Sequence, residues 1–147
     1  MNNKKIRFFM LFNVLLLLML GGCTISTNIK PVPIKISNLC IKNNPSVFMD
    51  GFLPELKSQI ESKGITTRVM DDVMAKDCSY QLEYTANWRW DLAMYLTYAE
   101  LKVYTNDNPR LSIGEAIYDA RSGSGRFDKF GPTANKISPL VKSLFIY

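Results

Sequence analysis

The sequence contains no histidine. That absence removes the usual base for activating a serine or cysteine nucleophile, and it removes every metal site that needs an imidazole ligand. Cysteine is scarce, with three residues at positions 23, 40 and 78. None stands in a Cys-x-x-Cys arrangement, so neither a dithiol redox motif nor a zinc knuckle is encoded. Acids are thinly spread. Asp71 and Asp72 are adjacent, but neighbours on a strand point apart and no third acid completes a site, so they read as a solvated turn. The glycines and serine of 123–125 lack the Gly-Lys-Ser/Thr ending of a phosphate loop. No catalytic set and no metal-ligating set emerges, no cofactor is implied, and the chain reads as a non-enzyme. Asp91, beside Trp90, is the one acid whose neighbours would favour a raised pKa. A strand-end aspartate bonded to backbone amides is the simpler expectation for it.

One long apolar run is present, Phe8 to Leu20, broken by Asn13 and preceded by Lys4, Lys5 and Arg7. It is shorter than the roughly 20 residues that span a bilayer. A basic start followed by a short apolar stretch has the form of a secretory signal peptide. The run stops at Leu20-Gly21-Gly22-Cys23. This ending resembles the bacterial lipobox, a leucine and two small residues before a cysteine. The resemblance implies cleavage after Gly22 and a diacylglyceryl group on the Cys23 thiol. An uncleaved helix, or a plain signal peptide with a chance cysteine, is the alternative. Two or three acyl chains would hold the chain stably at a membrane. Thr24 stands where Asp would mark inner-membrane retention in Gram-negative lipoproteins, which points to the outer membrane and the periplasm.

Removing residues 1–22 takes away three of the 18 basic residues and none of the 13 acids, so the remainder carries +2 rather than +5. The basicity belongs mostly to the targeting segment. No Lys/Arg run of the kind that tracks nucleic acid remains. Cys40 and Cys78 form an even pair, and pairs usually bond in an oxidising compartment. Such a bridge stabilises by roughly 3–4 kcal/mol on the chain-entropy argument. Two buried free thiols are the alternative.

Residues 23–33 are polar with two prolines and read as a lipidated N-terminus and tether. Residues 34–147 read as one domain. A first strand is expected around Ile34, Ile36 and Leu39 to Ile41. Phe48, Phe52, Leu56 and Ile60 recur every fourth residue and predict a helix over Val47 to Lys63, closed by Gly64. Pro54 obstructs that helix unless it lies near the first turn. Ile65 to Met70 is a short strand. From Cys78 to Asp91 the pattern alternates: Tyr80, Leu82, Tyr84, Ala86, Trp88 and Trp90 on one side, Ser79, Gln81, Glu83, Thr85, Asn87 and Arg89 on the other. Period two is a strand with one buried and one wet face. Tyr95 to Thr105 and Leu111 to Ala120 are further strands, separated by the turn Asn106 to Pro109. After a loop, Ile137, Leu140, Val141 and Leu144 mark a last helix, with Thr133 as a candidate cap. The expected fold is α+β: a mostly antiparallel sheet in the order β-α-β-β-β-β-α with two helices on one face.

The lipobox cysteine is joined by other landmarks: Cys40 before Asn44-Pro45, Lys63-Gly64-Ile65, Cys78-Ser79-Tyr80 through Tyr84-Thr85-Ala86, Trp90-Asp91 with Tyr95-Leu96 and Ala99-Glu100, Gly114 with Ala116 and Tyr118, and Lys136-Ile137 with Pro139-Leu140-Val141. In these the chain resembles the small, uncharacterised proteobacterial lipoproteins of the Sbal type. It departs from them at Arg121-Ser122-Gly123, where they carry a Gly-Gly run. The resemblance implies no activity and no functional residues. The aromatic row Tyr80, Tyr84, Trp88 and Trp90 is the candidate binding surface. It reads first as a core ladder under the helices. If it extends past them, it could meet a glycan, a lipid or a partner. The functional expectation is an envelope lipoprotein, anchored to the membrane by its lipid, whose domain meets a protein partner. The alternative is a binding module for an envelope lipid or glycan. Replacing the acceptor thiol by Cys23→Ser should leave an unprocessed precursor, seen as retention of residues 1–22 by mass spectrometry. Normal maturation of that variant would remove the lipobox reading.

Overall fold

The computed structural model describes residues 25–71, 78–122 and 127–147. The lipobox residues Leu20, Gly21, Gly22 and Cys23, along with Asp72 and the glycines and serine of 123–125, lie outside the described residues. The fold is α+β. Its elements are β1 (Ser26–Lys30), β2 (Asn38–Lys42), α1 (Phe52–Glu61), β3 (Thr66–Met70), β4 (Tyr80–Asp91), β5 (Ala93–Thr105), β6 (Ser112–Asp119) and α2 (Thr133–Leu144). A short 3-10 turn, Phe127–Lys129, precedes α2. One six-stranded sheet runs in the order β1-β6-β5-β4-β2-β3. The β4–β5–β6 meander is antiparallel, as is β1 on β6, whereas β2 pairs in parallel with both β3 and β4. From β2 onward the order is the expected β-α-β-β-β-β-α.

The first strand lies earlier than its sequence pattern places it. Ser26–Lys30 falls inside the segment read as a tether, and it pairs residue for residue with Asp119 to Glu115 of β6. Backbone pairing needs no apolar side chain, and in this stretch only Ile29 is even partly buried. An edge strand of this kind carries no alternation to read. Val32, just beyond it, is fully buried and donates its N–H to Leu144 O at 2.9 Å. The folded unit therefore begins at β1, not at position 34.

Both helices pack on one face of the sheet. Helix α1 starts at Phe52, so Pro54 sits in its first turn, where a missing N–H leaves no helical bond broken. Phe48 lies upstream of the helix. Gly64 takes φ +76°, a conformation that glycine adopts without a Cβ clash, and turns the chain into β3. Helix α2 contains Pro139 and is capped by Pro132, with Thr133 its first helical residue and no side-chain cap bond. Leu56 and Ile60 of α1 and Ile137, Leu140, Val141 and Leu144 of α2 meet Ile41, Leu82, Leu101, Val103 and Ala116 of the sheet in a single core. Each leucine, isoleucine or valine among them, fully buried, stabilises by about 1.5–3 kcal/mol.

The opposite face of the sheet is wet and laced with charge. Glu83 pairs with Lys42 at 3.5 Å and Arg110 at 3.1 Å, and Lys102 pairs with Glu100 at 2.7 Å and Glu115 at 3.1 Å. The two carboxylates bonded to Lys102 push its ammonium pKa up. Cys40 and Cys78 are joined in a disulfide across 38 positions, with Cα atoms 6.0 Å apart. The bridge ties β2 to the segment leading into β4.

Gly114 of β6 faces the core where Val32 and Leu144 approach its backbone closely. A Cβ there would stand 2.5 Å from Val32 Cγ2 and 3.1 Å from Leu144 Cδ1. Both neighbours are fully buried, and the Val32 backbone is held by its bond to Leu144. Gly114→Ala should therefore destabilise the fold by about 1–3 kcal/mol, the usual cost of overpacking, in urea unfolding followed by circular dichroism.

Candidate functional site

The aromatic row of β4 is divided by where its helical cover ends. Tyr84 and Trp88 are buried, and Tyr80 is half-buried. Phe52, the first residue of α1, stacks against both, with ring centroids 5.5 Å from Tyr84 and 5.4 Å from Trp88. Phe48 meets Trp88 edge-on at 5.5 Å. Tyr84 also fixes the loop before α1: its hydroxyl accepts from Asn44 N–H at 3.2 Å, and its carbonyl accepts from Asn44 Nδ2 at 2.8 Å. These positions of the predicted surface are core, because α1 and the loop that leads into it lie directly over them. Trp90, two residues on, is 71 % exposed.

Trp90 opens an apolar hairpin tip. It sits opposite Met94, which is 42 % exposed, and between them Leu92 forms the turn with 86 % of its surface in solvent. Leu92 also takes φ +60°. The left-handed conformation costs an L-residue other than glycine about 1–2 kcal/mol. A glycine or asparagine would serve the turn more cheaply. Neither packing nor backbone geometry explains a leucine there, and strain of this sort gathers at functional positions.

The tip is braced from below. Register shifts between Asn87 and Trp88, where β5 contributes Thr97 as an extra residue. Thr97 is buried and its hydroxyl donates to Asn87 O at 3.0 Å. Such a bulge bends the strand and increases its twist. Among the described residues no backbone amide bonds the Asp91 side chain. Its Oδ2 accepts from Lys129 Nζ at 2.6 Å. Lys129 is 3 % exposed and lies 5.0 Å from the ring centroids of both Tyr95 and Phe130. A desolvated ammonium between two aromatic faces and a carboxylate is a strong local tie. Sequence reasoning missed Lys129, which is separated from Asp91 by 38 positions and carries no pattern of its own.

The same end of the sheet carries a second clasp. Arg121 bonds Asp119 through Nε and Nη2 and lies 4.5 Å over the Tyr98 ring. The guanidinium holds the Asp119 carboxyl below the usual carboxylate range, and burial pushes the Tyr98 phenol up. At the other end, beside the disulfide, an open groove of about 510 Å³ runs between Lys35, Asn38, Thr67, Arg68 and Tyr80. A shallower cleft of about 210 Å³ lies between Met49, Trp88 and Thr133. Among the described residues no group of three or more His, Cys, Asp or Glu side chains is placed to hold a metal ion. Asp71 is engaged by Asn43 Nδ2 at 2.9 Å.

No protein-family model and no curated protein sequence matches the chain. Solved structures of PelC share its fold. A PelC variant dodecamer from Paraburkholderia phytofirmans aligns with a TM-score of 0.54 and 10% identity over 82% of this chain and 94% of that one. A second crystal form of the PelC dodecamer gives 0.51 and 10% over 81% and 92%. TolB from Acinetobacter baumannii aligns at 0.41 and 12% over 82% of this chain and 31% of its own. At these identities the PelC likeness is one of fold.

The division of the row has a direct test. Trp88→Ala should cost about 3–5 kcal/mol, as large aromatic truncations in cores do. Trp90→Ala should leave stability within about 0.5 kcal/mol, as exposed changes do. Chemical denaturation of both variants measures the contrast. Equal losses would place Trp90 in the core.

Proposed function

We propose that the chain is a lipid-anchored accessory domain of the bacterial envelope, held at the outer membrane through Cys23 and engaging a protein partner in the periplasm. The observation that carries this reading is the distance between the anchor and the fold. Strand β1 begins at Ser26, three positions after the lipobox cysteine. Three residues reach at most about 10 Å. A domain on so short a lead is held against the bilayer rather than hung from it. The disulfide between Cys40 and Cys78 agrees with an oxidising compartment. The resemblance to Sbal-type lipoproteins, which rests on the residues quoted above, agrees with it as well.

The same reading assigns the domain no chemistry of its own. Among the described residues the space between helices and sheet is filled by core side chains rather than by a chamber of the kind a small-molecule binder needs. The glycan-binding alternative loses the middle of its platform with Tyr84 and Trp88 in the core and keeps Trp90 at one end and the half-buried Tyr80 at the other. Partner contact has two natural places: the outer edge of β3, which has no strand beyond it among the described residues, and the open groove beside the disulfide.

Crosslinking in intact cells at native expression, followed by affinity capture and mass spectrometry, tests the proposal. The expected result is one envelope complex, recovered reproducibly and lost in Cys23→Ser. Recovery of no protein partner, with wild-type and variant chains indistinguishable, would overturn it.

A further inference from the structure

We propose that the tip of the β4–β5 hairpin is a second membrane-contact site, in which Trp90, Leu92 and Met94 enter the lipid interface beside the acylated N-terminus. The inference rests on the lipoprotein reading for its anchor, but the tip itself is carried by register. Ser26 of β1 pairs with Asp119 of β6, Asp119 with Tyr98 of β5, and Tyr98 with Asn87 of β4. These residues form one row across the sheet. Beyond that row β4 runs outward through Trp90, and the N-terminal end of β1 points the same way. Trp90 and Cys23 each stand three positions past the row. Trp90 therefore stands about 10 Å beyond it at the rise of an extended strand, and the three residues from Ser26 back to Cys23 can reach no farther than about 10 Å. Four neighbouring strands separate them sideways by about 14 Å. An anchor on Cys23 brings the tip to the same surface.

The chemistry of the tip suits a bilayer better than a protein. Tryptophan is enriched where headgroups meet acyl chains, because its ring is apolar and its indole N–H can still find water. Leucine and methionine add apolar surface without polar groups to desolvate. Arg89 is exposed one residue before Trp90 and can extend its guanidinium to lipid phosphate. Three side chains fall well short of the ~800 Å² per partner that a stable protein interface buries. They are enough to orient a chain that acyl groups already hold. The brace beneath them, Asp91 with Lys129 and the Thr97 bulge, keeps the tip projecting instead of folding back on the core.

The test uses the full chain purified from membranes and placed in vesicles of phosphatidylethanolamine and phosphatidylglycerol, with or without lipid brominated on the upper acyl chain. Mass spectrometry of Cys23 reads the anchor independently. Trp88→Phe leaves Trp90 as the single tryptophan, and Trp90→Phe leaves Trp88. In the first variant bromolipid should lower emission about twofold, because an interfacial side chain sits within reach of shallow bromines. In the second it should change emission little. Adding Leu92→Gly to the first variant, which keeps the turn, should weaken the quenching. Cys23 acylated with Trp90 still open to aqueous acrylamide and untouched by bromine overturns the tip and leaves the anchor standing. Cys23 unmodified with Trp90 quenched overturns the anchor and supports the tip. Trp90 shielded from acrylamide without bromine quenching means a second copy or a protein covers it, and overturns the proposal.

Discussion

The architecture depends on a mismatch of lengths. Strands β4 and β5 hold 12 and 13 residues, which reach about 40 Å in extended form. Helices α1 and α2 hold 10 and 12 residues, about 15–18 Å at helical rise. Two helices of that size cannot cover two strands of that length. Where they lie, the sheet face below is dry and its side chains form the core. Where they stop, between Trp88 and Trp90, the same face of the same strand is open to whatever surrounds the molecule. The contrast between Tyr84 and Trp88 on one side and Trp90 on the other follows from that boundary.

The open stretch is nevertheless ordered. A hairpin running past its cover is marginal by itself, since two strands alone bury too little. Here the shortfall is met by polar contacts of unusual placement. Lys129 is buried with its ammonium held by Asp91 and flanked by Tyr95 and Phe130. A cation so placed tolerates burial because a carboxylate and two ring faces replace its water. Apolar residues thus occupy the exposed end and a charged residue the interior, the reverse of the usual partition.

Much of the fold is legible in the sequence. The period-two pattern from Tyr80 to Trp90 marks β4, the i+4 apolar spacing marks α1 and α2, and an even cysteine pair gives the bridge. The less legible parts share one cause, which is that they depend on partners distant in the chain. Residues 26–30 carry no alternation because β6 supplies most of their stability through backbone bonds, with Ile29 alone among them partly buried. The parallel pairing of β2 with both β3 and β4 is a choice among neighbours that side-chain periodicity does not encode. The alternation through Trp88 and Trp90 is unbroken, so it places both on one face and is silent on where the helices end. Leu92 is a turn residue that the turn chemistry disfavours, and it becomes informative only with its φ in view. Lys129 needed the tertiary fold outright.

The pairing of β1 with β6 has a mechanical side. The hydrogen bonds of an antiparallel pair lie perpendicular to the strands. Tension applied to the chain upstream of Ser26, outward along the strand axis, acts across all the rungs between Ser26–Asp119 and Lys30–Glu115 together. The ladder is then loaded in shear and resists as a block. The same pull directed away from the sheet plane would meet the rungs one at a time and unzip them. An edge strand in this orientation lets the domain bear a load along its own axis, and the fully buried Val32 behind it serves as the stop.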